Sequence, residues 1–117
     1  KWIDSKERVL LMSNITEKPS SAYAEENLGV VSVAVTGQKR YYCAFGSYIL
    51  TKEVFAQLKE NINNNVVNAK GEIELTTALE QVRQQNGLLG IKLDGKMFDI
   101  GVPNEYRNTM CNYVSPC

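Results

Sequence analysis

Two short stretches of this 117-residue chain combine residue types that can act on a phosphate ester. The first is Gly95-Lys96-Met97-Phe98-Asp99-Ile100-Gly101-Val102-Pro103. Met97 and Phe98 suit a strand, Asp99 falls where that strand runs out, and Gly101 allows the turn that follows. Pro103 fits the first position of a helix, where its missing N–H costs nothing. Ligands in α/β folds bind just beyond the carboxyl ends of strands, so Asp99 is either a site residue or a turn and capping residue. The second stretch is Glu17-Lys18-Pro19. Past a strand end both side chains can reach one cleft. There the carboxylate can accept hydrogen bonds from hydroxyls, and the ammonium can hold a phosphate as a point charge. The same pair also suits an ordinary solvated face.

Positioning these residues requires a framework, which the apolar periodicity outlines. Residues 8–16 read as a first strand with Val9, Leu11 and Ile15 on one face, closed by Pro19. Ser20 to Asn27 reads as a connection or one weak helical turn around Ala22 and Ala24. Leu28 to Val35 is strongly β-branched and reads as a second strand. Thr36-Gly37-Gln38 turns the chain into a third, Lys39 to Leu50, interrupted at Gly46 by a bulge or by the close approach of a ligand. Thr51 is the expected N-cap of a helix whose stripe is Val54, Phe55, Leu58 and Ile62. Asn61 to Asn68 holds five asparagines in eight residues and reads as a surface loop.

Lys70 to Thr77 leads into a second helix, with a capping box from Thr77 to Glu80 and a stop at Gly87. Leu88 to Leu93 is a further strand, and Asp94-Gly95 signals a tight hairpin returning through Lys96 to Asp99. The last helix is expected from Pro103 to Tyr113, with Tyr106, Met110 and Tyr113 forming a packing stripe. The sum is one α/β domain, a mixed sheet of about five strands with three helices.

Composition narrows the partners. Lysine plus arginine and aspartate plus glutamate number 13 each, so no overall field favours nucleic acid or an anionic membrane. No apolar run spans a bilayer. The hydrophobic share of 44% and charged share of 22% are ordinary for a globular domain. The three cysteines lack C-x-x-C spacing and there is no histidine, which argues against zinc. They read as reduced thiols in a cytoplasmic protein.

Four stretches taken in order make a more specific pattern: Ile15-Thr16-Glu17-Lys18-Pro19, Phe45-Gly46-Ser47-Tyr48-Ile49-Leu50-Thr51, Gly71-Glu72-Ile73-Glu74-Leu75-Thr76 and Phe98-Asp99-Ile100-Gly101-Val102-Pro103. Together they resemble the second half of the sugar-phosphate nucleotidyltransferase domain, on the side of its uridylyltransferases. The resemblance covers nearly the whole chain. It implies a Rossmann-like fold and transfer of a nucleotidyl group from a nucleoside triphosphate (UTP) to a sugar 1-phosphate (glucose 1-phosphate), with release of pyrophosphate. Glu17 would bind sugar hydroxyls and Lys18 the phosphate, while Gly46 would let the sugar approach the backbone. Glu72 would support the site, and Lys70 stands where some relatives carry a phosphate-touching arginine. Asp99 would be one of two aspartates holding Mg2+, a hard cation that takes carboxylates and phosphate oxygens.

The chain departs from the family in three respects. It contains no G-x-G-T-R-x-x-P loop and no second metal-binding aspartate after one. Thr77 stands where many relatives have aspartate, and no hexapeptide-repeat β-helix follows the last helix. The expectation is therefore a C-terminal, sugar-phosphate-binding portion, inactive alone, with its nucleotide-binding half elsewhere. Part of a continuous sheet would expose apolar surface and strand edges, so self-association into a homo-oligomer is expected. The alternatives are a non-catalytic sugar-phosphate-binding or regulatory module, a transferase for mannose, a deoxysugar or another nucleotide, and an interaction domain without a small-molecule site.

Overall fold

The computed structural model describes residues 3, 4, 6, 8–33, 36–95, 97, 98 and 100–113. Their elements run β1 (Val9–Leu11), α1 (Ser21–Asn27), β2 (Ser32–Val33), β3 (Lys39–Arg40), α2 (Lys52–Asn63), α3 (Leu75–Asn86), β4 (Leu89–Ile91) and α4 (Pro103–Asn112). The mixed α/β class is as expected. The detail differs: among the described residues there are four helices, and two separate two-stranded antiparallel ladders stand in place of one five-stranded sheet.

The core lies between α2 and α3. Val54 from α2 meets Leu79 and Val82 from α3, and Ile15, Leu50, Leu58, Leu75 and Leu88 close around them. The α2 face is rotated from the expected stripe. Val54 is buried, but Phe55 and Ile62 are 58% and 61% exposed, while Gln57 and Asn61 are buried instead. The reason is a set of side-chain amide hydrogen bonds within α2 and between α2 and α3. Asn61 Nδ2 donates to Gln81 Oε1 at 2.8 Å, Gln57 Nε2 to Asn61 Oδ1 at 3.2 Å, and Gln85 Nε2 to Gln57 Oε1 at 3.4 Å. Buried amides are tolerable only when paired in this way. Asn61 thus belongs to α2 rather than to a surface loop.

β1 and β4 pair with Val9 opposite Ile91 and Leu11 opposite Leu89. The pairing continues into Met12 N–H to Leu88 O (2.9 Å) and Lys92 N–H to Arg8 O (2.8 Å). A Cβ at Gly90 would come within 3.3 Å of the Leu10 side chain across the ladder, so the glycine lets the strands close. Gly87 ends α3 as expected, with φ of +81°, a left-handed conformation that resists a side chain. β2 pairs with β3 across the expected turn at Thr36-Gly37-Gln38. The β-branched run thus yields a strand of two residues, with Ala34 and Val35 outside the described residues. Strand propensity without a neighbour to pair with does not lengthen a ladder.

Ser20 to Asn27 forms a true helix, α1, because the Ser20 hydroxyl accepts the Tyr23 N–H at 3.2 Å as an N-cap and Ala24 is buried. Met97 and Phe98 are not in a strand. The remainder of that expected hairpin, Lys96 and Asp99, lies outside the described residues, as does Cys117. α4 starts at Pro103 as expected, yet Tyr106, Met110 and Tyr113 are 50–63% exposed and α4 buries no residue. Tyr113 instead meets the Phe98 ring edge-on, with ring centres 5.6 Å apart.

Candidate functional site

Residues from three distant parts of the chain line one open cleft of about 520 Å³. The turn after β1 contributes Glu17 and Lys18, the segment before α2 contributes Tyr48, and the α2–α3 connection contributes Asn68, Lys70 and Glu72. The first turn of α3 forms the floor, with Leu75 and Thr76 beside the helix-capping Glu74. Four residues singled out in the sequence, Glu17, Lys18, Lys70 and Glu72, are therefore neighbours in space. Gly46 is not in the lining. A Cβ there would meet no protein atom within 4 Å, and no ladder runs through it, so the expected interruption is not a bulge. Asp99 lies outside the described residues.

The geometry at Glu17 and Lys18 is set from α3. Thr76 Oγ1 donates to Glu17 Oε2 at 2.7 Å, while Glu17 Oε1 lies 3.9 Å from Lys18 Nζ. One carboxylate oxygen is thus pinned and the other is held loosely beside the ammonium. The Lys18 side chain is 91% exposed and its backbone sits at φ +37°, where a residue with a Cβ is strained. A lysine with no buried anchor, kept in that conformation, is a feature that packing does not account for. The first N–H groups of α3 also point towards the cleft end of the helix and lack a side-chain cap. Two ammonium groups and a helix N-terminus can hold a dianion, and the carboxylates beside them can accept hydroxyl protons.

Glu80 ties the segment bearing Glu17 and Lys18 to α3. Its carboxylate accepts the Ile15 N–H at 3.2 Å, two Arg83 N–H groups at 2.7 Å each, and Gln84 Nε2 at 2.9 Å. The expected capping box with Thr77 is absent, because α3 begins at Leu75 and Glu80 lies a turn too deep. The Arg83 guanidinium, above all, holds the Glu80 carboxyl down at about 2, against an ordinary value of 4.5. A depressed carboxyl stabilises the fold fully above its unfolded value. That contribution is lost as pH falls from about 4.5 towards 2. Glu80→Gln is expected to cost about 1–2 kcal/mol at pH 7 and to flatten the pH dependence of stability between about 5 and 2. Urea midpoints across that range are the check, and an unaltered profile would remove Glu80 from the account.

Asn68, Thr76, Tyr48 and Glu74 were not evident as site residues from sequence. Thr76 sits inside one of the four quoted stretches, but a threonine at a helix start has an ordinary capping use. Asn68 has no signal apart from its place in an asparagine-rich run.

Among the described residues, no three histidine, cysteine, aspartate or glutamate side chains gather as a metal site. Cys43 and Cys111 are free and exposed. No helix among those residues is long and apolar enough to cross a membrane.

Known proteins similar to this chain include nucleotidyltransferases. The UTP–glucose-1-phosphate uridylyltransferase of Bacillus subtilis is 28% identical over 99 residues, which is 85% of this chain and 28% of the relative. That of Pseudomonas aeruginosa is 29% identical over 98 residues, 84% of this chain and 29% of the relative. The chain therefore spans less than a third of the length of the curated relatives it matches. No protein-family model matches it. No solved structure matches it.

Proposed function

We propose that this chain forms the sugar-phosphate side of the active site of a UTP–glucose-1-phosphate uridylyltransferase. The observation that carries the reading is the convergence of Glu17, Lys18, Lys70 and Glu72, some fifty residues apart in sequence, on one cleft. Similarity to the two uridylyltransferases over most of the chain supports it.

In this reading the Lys18 ammonium holds the sugar phosphate, with Lys70 beside it. Glu17, fixed through one oxygen by Thr76, accepts from a sugar hydroxyl with the other. Glu72 supports the site, and Gly46, with open space where a Cβ would stand, lets the sugar approach the backbone. The attacking phosphate oxygen is already ionised at neutral pH, so no general base is required. The work is positioning and charge neutralisation. UTP is held by chain outside these 117 residues, and the isolated chain binds sugar phosphate without turnover.

Magnesium, with Asp99 as one ligand, would neutralise charge on the phosphates. The described cleft residues do not make a metal site by themselves, so each role above belongs to the chain's own side chains. A cytoplasmic homo-oligomer completes the reading, and the exposed apolar faces of α2 and α4 support self-association.

The test is calorimetric titration of the folded chain with glucose 1-phosphate. It is paired with a pyrophosphate-release assay of the whole gene product, given glucose 1-phosphate and each nucleoside triphosphate in turn. Binding by the chain, and release with UTP that collapses in an Asp99→Asn version, are expected. A folded chain that does not bind glucose 1-phosphate would overturn the reading. Release with a different triphosphate would overturn the choice of UTP.

A further inference from the structure

The most heavily bonded side chain in the cleft is one to which the proposed reaction gives no role. Asn68 Oδ1 accepts two backbone N–H groups, from Lys70 at 2.8 Å and Glu72 at 3.0 Å. Its Nδ2 donates to two carboxylates, Glu72 Oε2 at 3.2 Å and Glu74 Oε1 at 2.7 Å. The backbone closes the same loop, with Asn68 N–H to Glu72 O at 2.9 Å and Gly71 N–H to Asn68 O at 3.0 Å. Gly71 supplies the left-handed turn, at φ +79°.

The two ends of this one amide do different work. The oxygen makes the turn that places Lys70 and Glu72 on the cleft wall. The nitrogen ties together two carboxylates that share a side of the extended segment 72–74 and would otherwise repel each other into solvent. The Glu74 backbone stands at the N-cap position of α3, and its Oε2 accepts the Thr77 hydroxyl at 3.5 Å. It therefore serves as the anchor, and Glu72 is the carboxylate whose direction the amide decides.

We propose that Asn68 is the positioning residue of the cleft, which aims Glu72 at the hydroxyls of a bound aldose 1-phosphate. This rests on the reading of the cleft as a sugar 1-phosphate site. It assigns sugar selectivity partly to a residue that touches no substrate. At the phosphate end Asn68 bonds the Lys70 backbone but not Lys18.

The test is a double-mutant cycle on the folded chain, with Asn68→Ala, Glu72→Ala and the pair together. Affinities for glucose 1-phosphate and for inorganic phosphate are measured by calorimetry, and urea midpoints follow the fold. Each single variant is expected to bind glucose 1-phosphate about 5- to 10-fold more weakly. The double variant should be no weaker than Glu72→Ala alone, because Asn68 acts through Glu72. Affinity for inorganic phosphate, carried chiefly by Lys18, should fall by clearly less than affinity for glucose 1-phosphate in every variant.

Equal losses for both ligands would show only a collapsed loop and overturn the proposal. So would a full further loss from Asn68→Ala in the Glu72→Ala background. A parent chain that does not bind glucose 1-phosphate overturns the functional reading and the proposal together, whereas additive losses in a parent that binds overturn the proposal alone. If Asn68→Ala does not fold, Asn68→Asp takes its place, because it keeps both acceptor bonds of the turn. Its added charge weakens both ligands, so the loss for glucose 1-phosphate beyond that for inorganic phosphate is the part whose coupling to Glu72 decides.

Discussion

The Lys18→Ala chain is expected to bind glucose 1-phosphate about 10- to 100-fold more weakly than the parent, the range that follows from losing a charged hydrogen bond of about 1.5–3 kcal/mol. Its stability should barely change, since the side chain is 91% exposed and its ion pair with Glu17 is a long one, at 3.9 Å. Lys18→Gly separates the two effects further. Glycine adopts φ of +37° without strain, so this variant should lose binding as alanine does while unfolding at an equal or higher urea concentration than the parent. Calorimetry and urea unfolding on the same samples give both readings. A Lys18→Ala chain with parental affinity would place the phosphate elsewhere. A Lys18→Gly chain that loses stability would mean that the backbone there is not under strain.

Leu79→Ala is expected to cost about 2–5 kcal/mol, the range for truncating a buried leucine. Leu79 is 2% exposed and is the largest apolar side chain so completely enclosed among the described residues. The apolar core around it consists of Val54 and Val82 with a rim of half-buried neighbours. With so few buried apolar groups, a loss of that size removes most of the margin that holds the chain folded. The urea midpoint should fall by about 1–2 M or the cooperative transition should vanish.

Phe55→Ala is the informative companion. It removes a larger side chain, but one that is 58% exposed, so its cost should stay near about 0.5 kcal/mol. If Phe55→Ala proved the more damaging of the two, the rotated face of α2 would be wrong and the apolar stripe read from sequence would be right.

That contrast shows where sequence reading reaches its end. That helices follow Thr51, stop at Gly87 and start at Pro103 was legible, because those signals are local. The facing of α2 was not. Hydrophobicity selects Val54, Phe55, Leu58 and Ile62, but Gln57 and Asn61 turn inward because Gln81 and Gln85 meet them from α3. No property of residues 52–63 taken alone encodes those partners. Strand lengths failed for the same reason: β-branched residues permit a ladder, and only a neighbour in register makes one.

In the candidate site, Glu17, Lys18 and Glu72 were singled out through the order of four motifs and Lys70 through its place just before the third, and all four line one cleft. Thr76 and Asn68 were not singled out, because their importance lies in which side chains they hold rather than in what they are.

The pairing of β1 with β4 has a consequence for how the cleft comes into being. Its partners lie about eighty residues apart along the chain, whereas α2 and α3 are joined by a short connection. Closing the longer loop costs roughly 1–2 kcal/mol more in chain entropy, so the α2–α3 hairpin has the earlier claim on forming. Glu17 and Lys18 reach the cleft only after β1 has docked, through the Ile15 bond to Glu80 and the Thr76 bond to Glu17. The two walls of the cleft are accordingly expected to come together after the α2–α3 hairpin and to part before it. A ligand bridging its two walls would act as the clasp that holds the two ends of the sequence together.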